Sequence, residues 1–490
     1  MEYFIGLDIG TSAIKGVLIS ISGEEIAREK INTSFIENLN LNIEYDPYDH
    51  YSDVCKILNK LVNSVSNPSE IKAISMATAS GNTLLLDKND KPLINIISWM
   101  DGRAASLDVN ELNLDEVHEI VGWPWPRGYF PLAHLLWFKE NKPEMYASVQ
   151  RVCMNNDWLY YCLTSNWKLD NSTATTFYLQ NQVERKWHKP YLEALNLIEG
   201  NLSDLCRSGE LAGTVTEQAA VDTGLSEGTP IVLGTFDHPS AARGTGFTKP
   251  GDLLLSCGTS WVGFYPVEDR GIGLSQKLLI DPFLSPDGPW GVMFALTRID
   301  VLIHWFLDKF VYSQYSNITI KNRLFDDLAA ESDPGAENCL INPNIPIDEL
   351  LESKELQDSL ISEYKQYSPS IITRALMEMT VFKIRSKIDQ MTSAGIKAER
   401  IAMVGGPSES PIWPQIMADV TGLELNMING QTAGAVGAAM MAGIGSGYFE
   451  NESDAFEAVG GEAKIINPSS NKQIYQSIYD GYFQRYEKTN

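Results

Sequence analysis

The sequence predicts two α/β domains, each built on a mixed sheet with flanking helices. Three observations predict it. The chain has 490 residues, too many for one hydrophobic core, so two domains are the default. A pattern of strands first and helices afterwards occurs twice along it, which favours two such domains over a single doubly wound sheet. A near-repeat links the halves: Asp8-Ile-Gly-Thr-Ser12 at the start and Ser256-Cys-Gly-Thr-Ser260 in mid-chain, each between apolar, strand-like runs.

The elements follow in order. Tyr3–Asp8, Ala13–Ile21 and Glu25–Ile31 read as a three-strand meander with Gly-Thr-Ser and Ser-Gly-Glu turns. A helix is expected over Pro47–Ser64, where Val54, Ile57, Leu58, Leu61 and Val62 recur at helical spacing. Lys72–Ala77 and Thr83–Leu86 are the next strands, and Asp87–Asp90 is a turn. Trp123–Asn166 reads as mostly helical and aromatic, and Pro230–Gly234 as a short buried strand. The Gly/Pro cluster Gly244–Gly251 marks the boundary, which divides the chain into residues 1–247 and 248–490. Beyond it the strand pattern restarts. Ser368–Ala394 is a long helix, and Ile401–Val404 is a strand running into Gly405-Gly406-Pro407. Gln431–Gly447 is a helix whose Ala and Gly residues permit close backbone approach.

With 44% hydrophobic and 21% charged residues, the chain reads as globular. Its net charge of -25 argues against nucleic acid or an anionic membrane as a main partner. It does not argue against ATP, because backbone amides, a few cations and a metal hold phosphate inside an acidic protein. No window approaches 18 uninterrupted apolar residues, and the N-terminus has no basic n-region, so neither a membrane span nor a signal peptide is expected. Cys55, Cys153, Cys162, Cys206, Cys257 and Cys339 form no C-x-x-C pair. Thiols in a reducing cytosol are the expectation, and with them a cytoplasmic location.

Four constellations bear on chemistry. In Asp8-x-Gly10-Thr11-Ser12-x-x-Lys15, a Gly-Thr turn offers amides and hydroxyls to phosphate, Lys15 neutralises charge, and Asp8 serves Mg²⁺, usually through water. An ordinary hairpin with an Asx-type turn is the alternative. Asp237 just past a buried strand is placed to accept a proton from a substrate hydroxyl; a plain helix cap is the alternative. Gly405-Gly406 with the helix beyond Ser410 and Trp413 suits a nucleotide's sugar and α-phosphate, or is a plain strand–turn–helix. Asp101 and Arg103 either shape a polar pocket or form a structural ion pair. There is no G-x-x-x-x-G-K-[ST] and no G-x-G-x-x-G after a strand, so neither a P-loop enzyme nor a Rossmann dehydrogenase is supported.

Taken in order, these segments resemble the FGGY carbohydrate kinases. Asp8-Ile-Gly-Thr-Ser-Ala-Ile-Lys15 is similar to that family's first phosphate motif, and Leu255-Ser-Cys-Gly-Thr-Ser260 to the second. Trp99-Met-Asp-Gly-Arg103 resembles its W-x-D-x-R segment, and Asp237, with Gly244 seven residues on, its catalytic aspartate. Gly405-Gly406 to Gly422 resembles the adenosine motif, and Thr432–Ala439 the last helix. The resemblance implies two actin-like, ribonuclease H-like domains around a central cleft. It implies ATP and Mg²⁺, a small ketose, polyol or sugar acid as acceptor, a homodimer, and domain closure that excludes water. Asp237 is then the base and Asp8 the metal residue. Gly10, Thr11, Ser12, Lys15, Gly258, Thr259, Ser260, Gly405, Gly406 and Ser410 bind ATP. Ser80, Gly81, Asn82, Trp99, Asp101 and His238 are the acceptor-pocket candidates. Trp123 and Trp125 either stack on a sugar face or pack in the core.

The departures from the family pattern concern substrate. Ala79-Ser80-Gly81 stands where xylulokinase-like members carry Gln-Met-His, and His238 where they often have Asn or Gln. Pro407 replaces the third adenosine glycine, and the family's Gly-Glu-Arg-x-Pro loop has no counterpart near Cys339–Ile347. An actin- or Hsp70-like ATPase and a non-catalytic sugar sensor are the competing readings of the same fold.

Overall fold

A computed structural model describes residues 1–37, 43–107, 116–125, 128–258, 260–284, 288–296, 298–312 and 321–486. The chain forms two compact units, and neither is a continuous stretch. The first comprises Met1–Thr248, Pro266–Val292 and Thr432–Gly461; the second comprises Lys249–Tyr265, Met293–Gln431 and Glu462–Asn490. The chain therefore leaves the first unit near the expected boundary and returns to it twice.

The first unit holds a six-stranded sheet of β1 (Tyr3–Ile9), β2 (Ala13–Ser20), β3 (Glu25–Asn32), β4 (Ile71–Thr78), β5 (Leu211–Thr214) and β6 (Pro230–Phe236), in the order β5-β6-β4-β1-β2-β3. β1, β2 and β3 run antiparallel as a meander. β1 pairs in parallel with β4, and β4 with β6, while β5 closes the edge antiparallel to β6. Strand alternation sends Ile5, Leu7 and Ile9 to one face, where they pack with Val54, Ile57, Leu58 and Leu61 of helix α1 (Pro47–Val62). Phe4, Val17 and Ala73 face the other way, onto Ala435, Val436 and Ala439. Asp46 begins α1, its carboxylate accepting the Tyr48 and Asp49 amides, with Pro47 in the first turn.

Asp237–Thr245 forms helix α2 directly after β6. The small-residue helix of the sequence is α5 (Ala433–Gly445), which packs on β1 and α2. The contact with α2 is very close: a Cβ on Gly437 would lie 1.9 Å from the Ser240 carbonyl oxygen.

The second sheet repeats the plan. Six of its seven strands are β7 (Asp252–Cys257), β8 (Trp261–Val267), β9 (Trp290–Leu296), β10 (Arg400–Gly405), β11 (Leu425–Met427) and β12 (Lys464–Ile466), in the order β12-β11-β10-β7-β8-β9. β7 and β8 are antiparallel, β7, β10 and β11 are parallel neighbours, and β12 closes antiparallel to β11. The order of these six strands matches the first sheet, with two changes: the antiparallel edge strand precedes its partner in the first sheet and follows it in the second, and a seventh strand, Leu279–Asp281, extends the second sheet beyond β9. The long helix is α3 (Pro369–Ser393), capped by Ser368. It packs against α4 (Trp413–Thr421). Among the described residues, no helix is long and apolar enough to cross a membrane.

Candidate active site

In parallel sheets, ligands bind beyond the carboxyl ends of the strands. In the first unit three such ends lie side by side. Ile9 pairs with Thr78, and Thr78 with Phe236, so Gly10, Ala79-Ser80-Gly81 and Asp237 emerge together. The Ala79 amide donates to the Ile9 carbonyl at 2.9 Å. The β1–β2 turn is closed by the Gly10 amide on the Ala13 carbonyl at 3.1 Å, which leaves Ser12 exposed at the tip. Antiparallel register sets Asp8 opposite Lys15, and their side chains lie 3.5 Å apart. Burial raises the Asp8 carboxyl above its ordinary range and the charge of Asp237 adds to this, while Lys15 and His238 oppose it.

Asp237 is the first residue of α2, and Phe236 takes the cap position. A capping aspartate would accept amides two or three residues on; Asp237 Oδ1 instead accepts its neighbour's, His238 N–H, at 2.8 Å. His238 Nδ1 lies 3.8 Å from the same oxygen. Both side chains retain partial solvent exposure, 26% for Asp237 and 17% for His238, so the carboxylate is reachable.

The acceptor-side candidates split. Trp99 Nε1 donates to Thr11 Oγ1 at 3.0 Å, and the Trp99 amide donates to Asn82 Oδ1 at 3.2 Å. This ties the Trp99 loop to the first Gly–Thr turn. Ser80 is buried and accepts from the Thr176 hydroxyl at 3.1 Å. Gly81 has the Phe130 ring beside its Cα, where a Cβ would come within 2.3 Å of that ring. Asp101 is 0% exposed. Its oxygens accept from Arg103 Nε, Arg103 Nη2 and the Ile43 amide, each at 2.8 Å. Burial pulls its pKa upward, yet these bonds and the Arg103 charge hold it below the usual value. Of the two readings of Asp101 and Arg103, the structure has the ion pair, so Asp101 fixes its own loop. Trp123 is in the aromatic core, edge-on to Phe130, Tyr178 and Phe236, and Trp125 is edge-on to Tyr178.

Sequence reading missed Phe130, Ser172 and Asp281. Phe130 stacks at 6.3 Å on Trp99. Ser172 and Asp281 form a buried hydrogen bond, and Ser172 also accepts the Phe236 amide. No local pattern marks them, since they meet the site only through the fold.

The second unit sets out its candidates in the same way. Cys257 pairs with Gly405 in the parallel β7–β10 ladder, so Gly258 and Gly406 lie at neighbouring strand ends. The Gly258 amide donates to the Ser260 carbonyl at 3.2 Å across the turn; Thr259 lies outside the described residues. Gly405 adopts φ 95°, the left-handed region open to glycine. The Ser410 hydroxyl donates to Asp326 at 2.6 Å and accepts the Ile412 and Trp413 amides at the start of α4. Ser410 therefore holds the loop after Gly406. Trp413 packs against Trp261, with ring centroids 5.0 Å apart.

The family model for the N-terminal domain of the FGGY family of carbohydrate kinases matches residues 3–244, and that for the C-terminal domain matches residues 253–446. Xylulose kinase from Bacillus subtilis is 26% identical, with 100% of this chain and 97% of that protein covered. Autoinducer-2 kinase from Yersinia enterocolitica is also 26% identical, covering 92% of this chain and 87% of that protein. Among solved structures, ligand-bound xylulose kinase from Lactobacillus acidophilus has a TM-score of 0.82 at 20% identity, covering 99% and 98%. Gluconate kinase from the same organism has a TM-score of 0.81 at 20% identity, covering 99% and 97%; these two likenesses establish the fold. The ATPase and sensor readings are not favoured. Two matched domain models, in order and over most of the chain, place this protein in the FGGY family of carbohydrate kinases, which phosphorylate sugars with ATP.

Proposed function

We propose that Asp237 is the general base that takes the proton of an acceptor hydroxyl as the γ-phosphoryl group of ATP reaches it. The supporting observation is the placement of Asp237. It stands at the carboxyl end of β6, with its carboxylate partly exposed, beside the first Gly–Thr turn and Asp8. Phosphoryl transfer asks mainly for positioning and charge stabilisation. Lys15 and the Gly10–Ser12 turn take phosphate oxygens, as does the second turn, Gly258–Ser260. Gly405-Gly406 and the loop held by Ser410 take adenosine. The acceptor is a small ketose, polyol or sugar acid, lined by Ser80, Gly81, Asn82, Trp99 and His238, with Asp101 bracing the Trp99 loop. Residues 1–247 carry the acceptor and first phosphate motifs, and residues 248–490 the second phosphate and adenosine motifs.

Mg²⁺ belongs to this reading. Among the described residues no cluster of three His, Cys, Asp or Glu forms a cage. Mg²⁺ does not need one, since it keeps most of its waters and takes one or two carboxylates plus substrate phosphates. Asp8 and Asp237, two partly exposed carboxylates at neighbouring strand ends, fit that demand, and Asp8 is the residue that would hold the ion. The ion, when bound, offsets the charge on the phosphate oxygens.

A cytoplasmic location also belongs to the proposal, supported by six free thiols. The net charge of -25 supports a small-molecule acceptor over nucleic acid or an anionic membrane.

The test is ADP release from MgATP against a panel of pentuloses, hexuloses, polyols and aldonates, with Asp237→Asn alongside. Stimulation by one compound in the parent enzyme, lost by about 10²-fold or more in the variant while MgATP still binds, is the expected result. Undiminished turnover in the variant removes Asp237 as the base.

A further inference from the structure

The backbone amide immediately before Asp237 is engaged by a side chain. Phe236 N–H donates to Ser172 Oγ at 3.1 Å. Ser172, 1% exposed, donates its own proton to Asp281 Oδ2 at 2.7 Å. Asp281 is likewise 1% exposed, and its Oδ1 has no hydrogen-bond partner among the described residues. A buried carboxylate is costly unless it is used, and here it serves a serine that serves one amide.

The same short segment also grips the far end of α2. Arg243, on the last turn of that helix and 1% exposed, donates from Nη2 to the Phe283 carbonyl at 3.1 Å. Its guanidinium lies over the Phe283 ring at 4.7 Å. Residues 281–283 thus fasten the helix that starts with Asp237 near both of its ends.

We propose that Asp281 and Ser172 are positioning residues for phosphoryl transfer: Asp281 orients Ser172, Ser172 fixes the Phe236 amide, and the fixed backbone aims the Asp237 carboxylate. The inference rests on the reading of Asp237 as the base.

The electrostatics agree. Burial pushes the Asp281 carboxyl up to about 7. Asp170 and Asp237 add to the rise, while Ser172 and Arg243 oppose it. At neutral pH Asp281 therefore carries its proton in a good part of the molecules, and the clamp places little extra negative charge beside the base. This also makes asparagine a faithful substitute, because its amide oxygen can accept from Ser172 without a charge.

The experiment uses the full-length enzyme with MgATP and four variants: Asp281→Ala, Asp281→Asn, Ser172→Ala and Asp237→Asn. Turnover is read with the acceptor that the panel selects, or as slow transfer to water where none does. Hydrogen exchange at the Phe236 amide is read by TROSY NMR. Asp281→Ala and Ser172→Ala should each lower kcat by about tenfold or more, the scale expected when a reacting group is misplaced. They should leave the KM for MgATP within about twofold, because no nucleotide contact is removed, and exchange at Phe236 should speed up. Asp281→Asn should restore kcat and slow exchange. Parent-like kcat in Ser172→Ala, or an Asp281→Asn enzyme as slow as Asp281→Ala, overturns the proposal. Should Asp281→Ala fail to fold, Ser172→Ala and Asp281→Asn decide it. The two readings fail separately: an active Asp237→Asn enzyme sinks the base assignment, whereas an inactive one together with parent-like Ser172→Ala sinks only the clamp.

Discussion

Asp281 also leaves a signature in stability. An unfolded aspartate loses its proton near 3.8, whereas folded Asp281 keeps it to about 7. Between those values the unfolded chain releases a proton that the folded chain retains. Folding therefore weakens as pH rises from about 4 to about 7, and the loss is complete above that. Asp157, raised by burial to about 7, and Asp170, raised by burial to about 6, act in the same sense. His50 and His134 act oppositely: burial lowers both from 6.5 to about 4, so they weaken folding as pH falls through that window. A pH scan of the parent alone mixes these effects, and a variant separates one of them. The melting temperature of Asp281→Asn minus that of the parent should rise from pH 4.5 to pH 7 by about 2 °C or more, then level off. Scanning calorimetry at several pH values checks this, and a difference that stays flat would assign the Asp281 proton to the solvent rather than to the fold.

At the scale of elements, the α2–α5 contact carries the argument. Two helices meet here with glycine against backbone: Gly437 on the Ser240 carbonyl and Gly244 on the Ala433 carbonyl, where a Cβ would stand at 2.0 Å. Backbone cannot swing aside as a side-chain tip can, so an added methyl must push the helices apart. Because α2 begins with Asp237, the displacement reaches the proposed base as well as the core. Gly437→Ala should therefore cost about 1–3 kcal/mol in urea unfolding, the range for overpacking, and lower kcat with it. Gly481→Ala is the contrast. That glycine lies inside the helix Lys472–Tyr486 with nothing within 4 Å of its would-be Cβ. There alanine should gain up to about 1 kcal/mol by helix propensity. Equal effects at the two sites would count against close approach as the reason for glycine at 437.

At the scale of the whole molecule, local pattern and long-range placement part company. The two Gly–Thr turns, Asp237 after its strand and the small-residue helix were legible because each is a contiguous run whose turn chemistry or periodicity is local. The strand order in each sheet and the Ser172–Asp281 bond across 109 residues are set by packing, and no spacing in the sequence encodes them. The returns of the chain belong with these. Residues Thr432–Gly461 rejoin the first unit, where Ala435, Val436, Ala439 and Met440 cover Phe4, Val17, Ala73 and Val232 on one face of its sheet. A fragment ending at residue 247 carries the whole first sheet yet lacks that cover. It should expose an apolar face, associate and give no cooperative melt, since an uncovered patch of this kind drives aggregation. Joining residues 432–461 to its end through a flexible linker should restore a monomer with a single transition, read by sedimentation velocity and circular dichroism. A well-behaved monomer from residues 1–247 alone would mean that α5 adds to the first unit without being needed to complete its core.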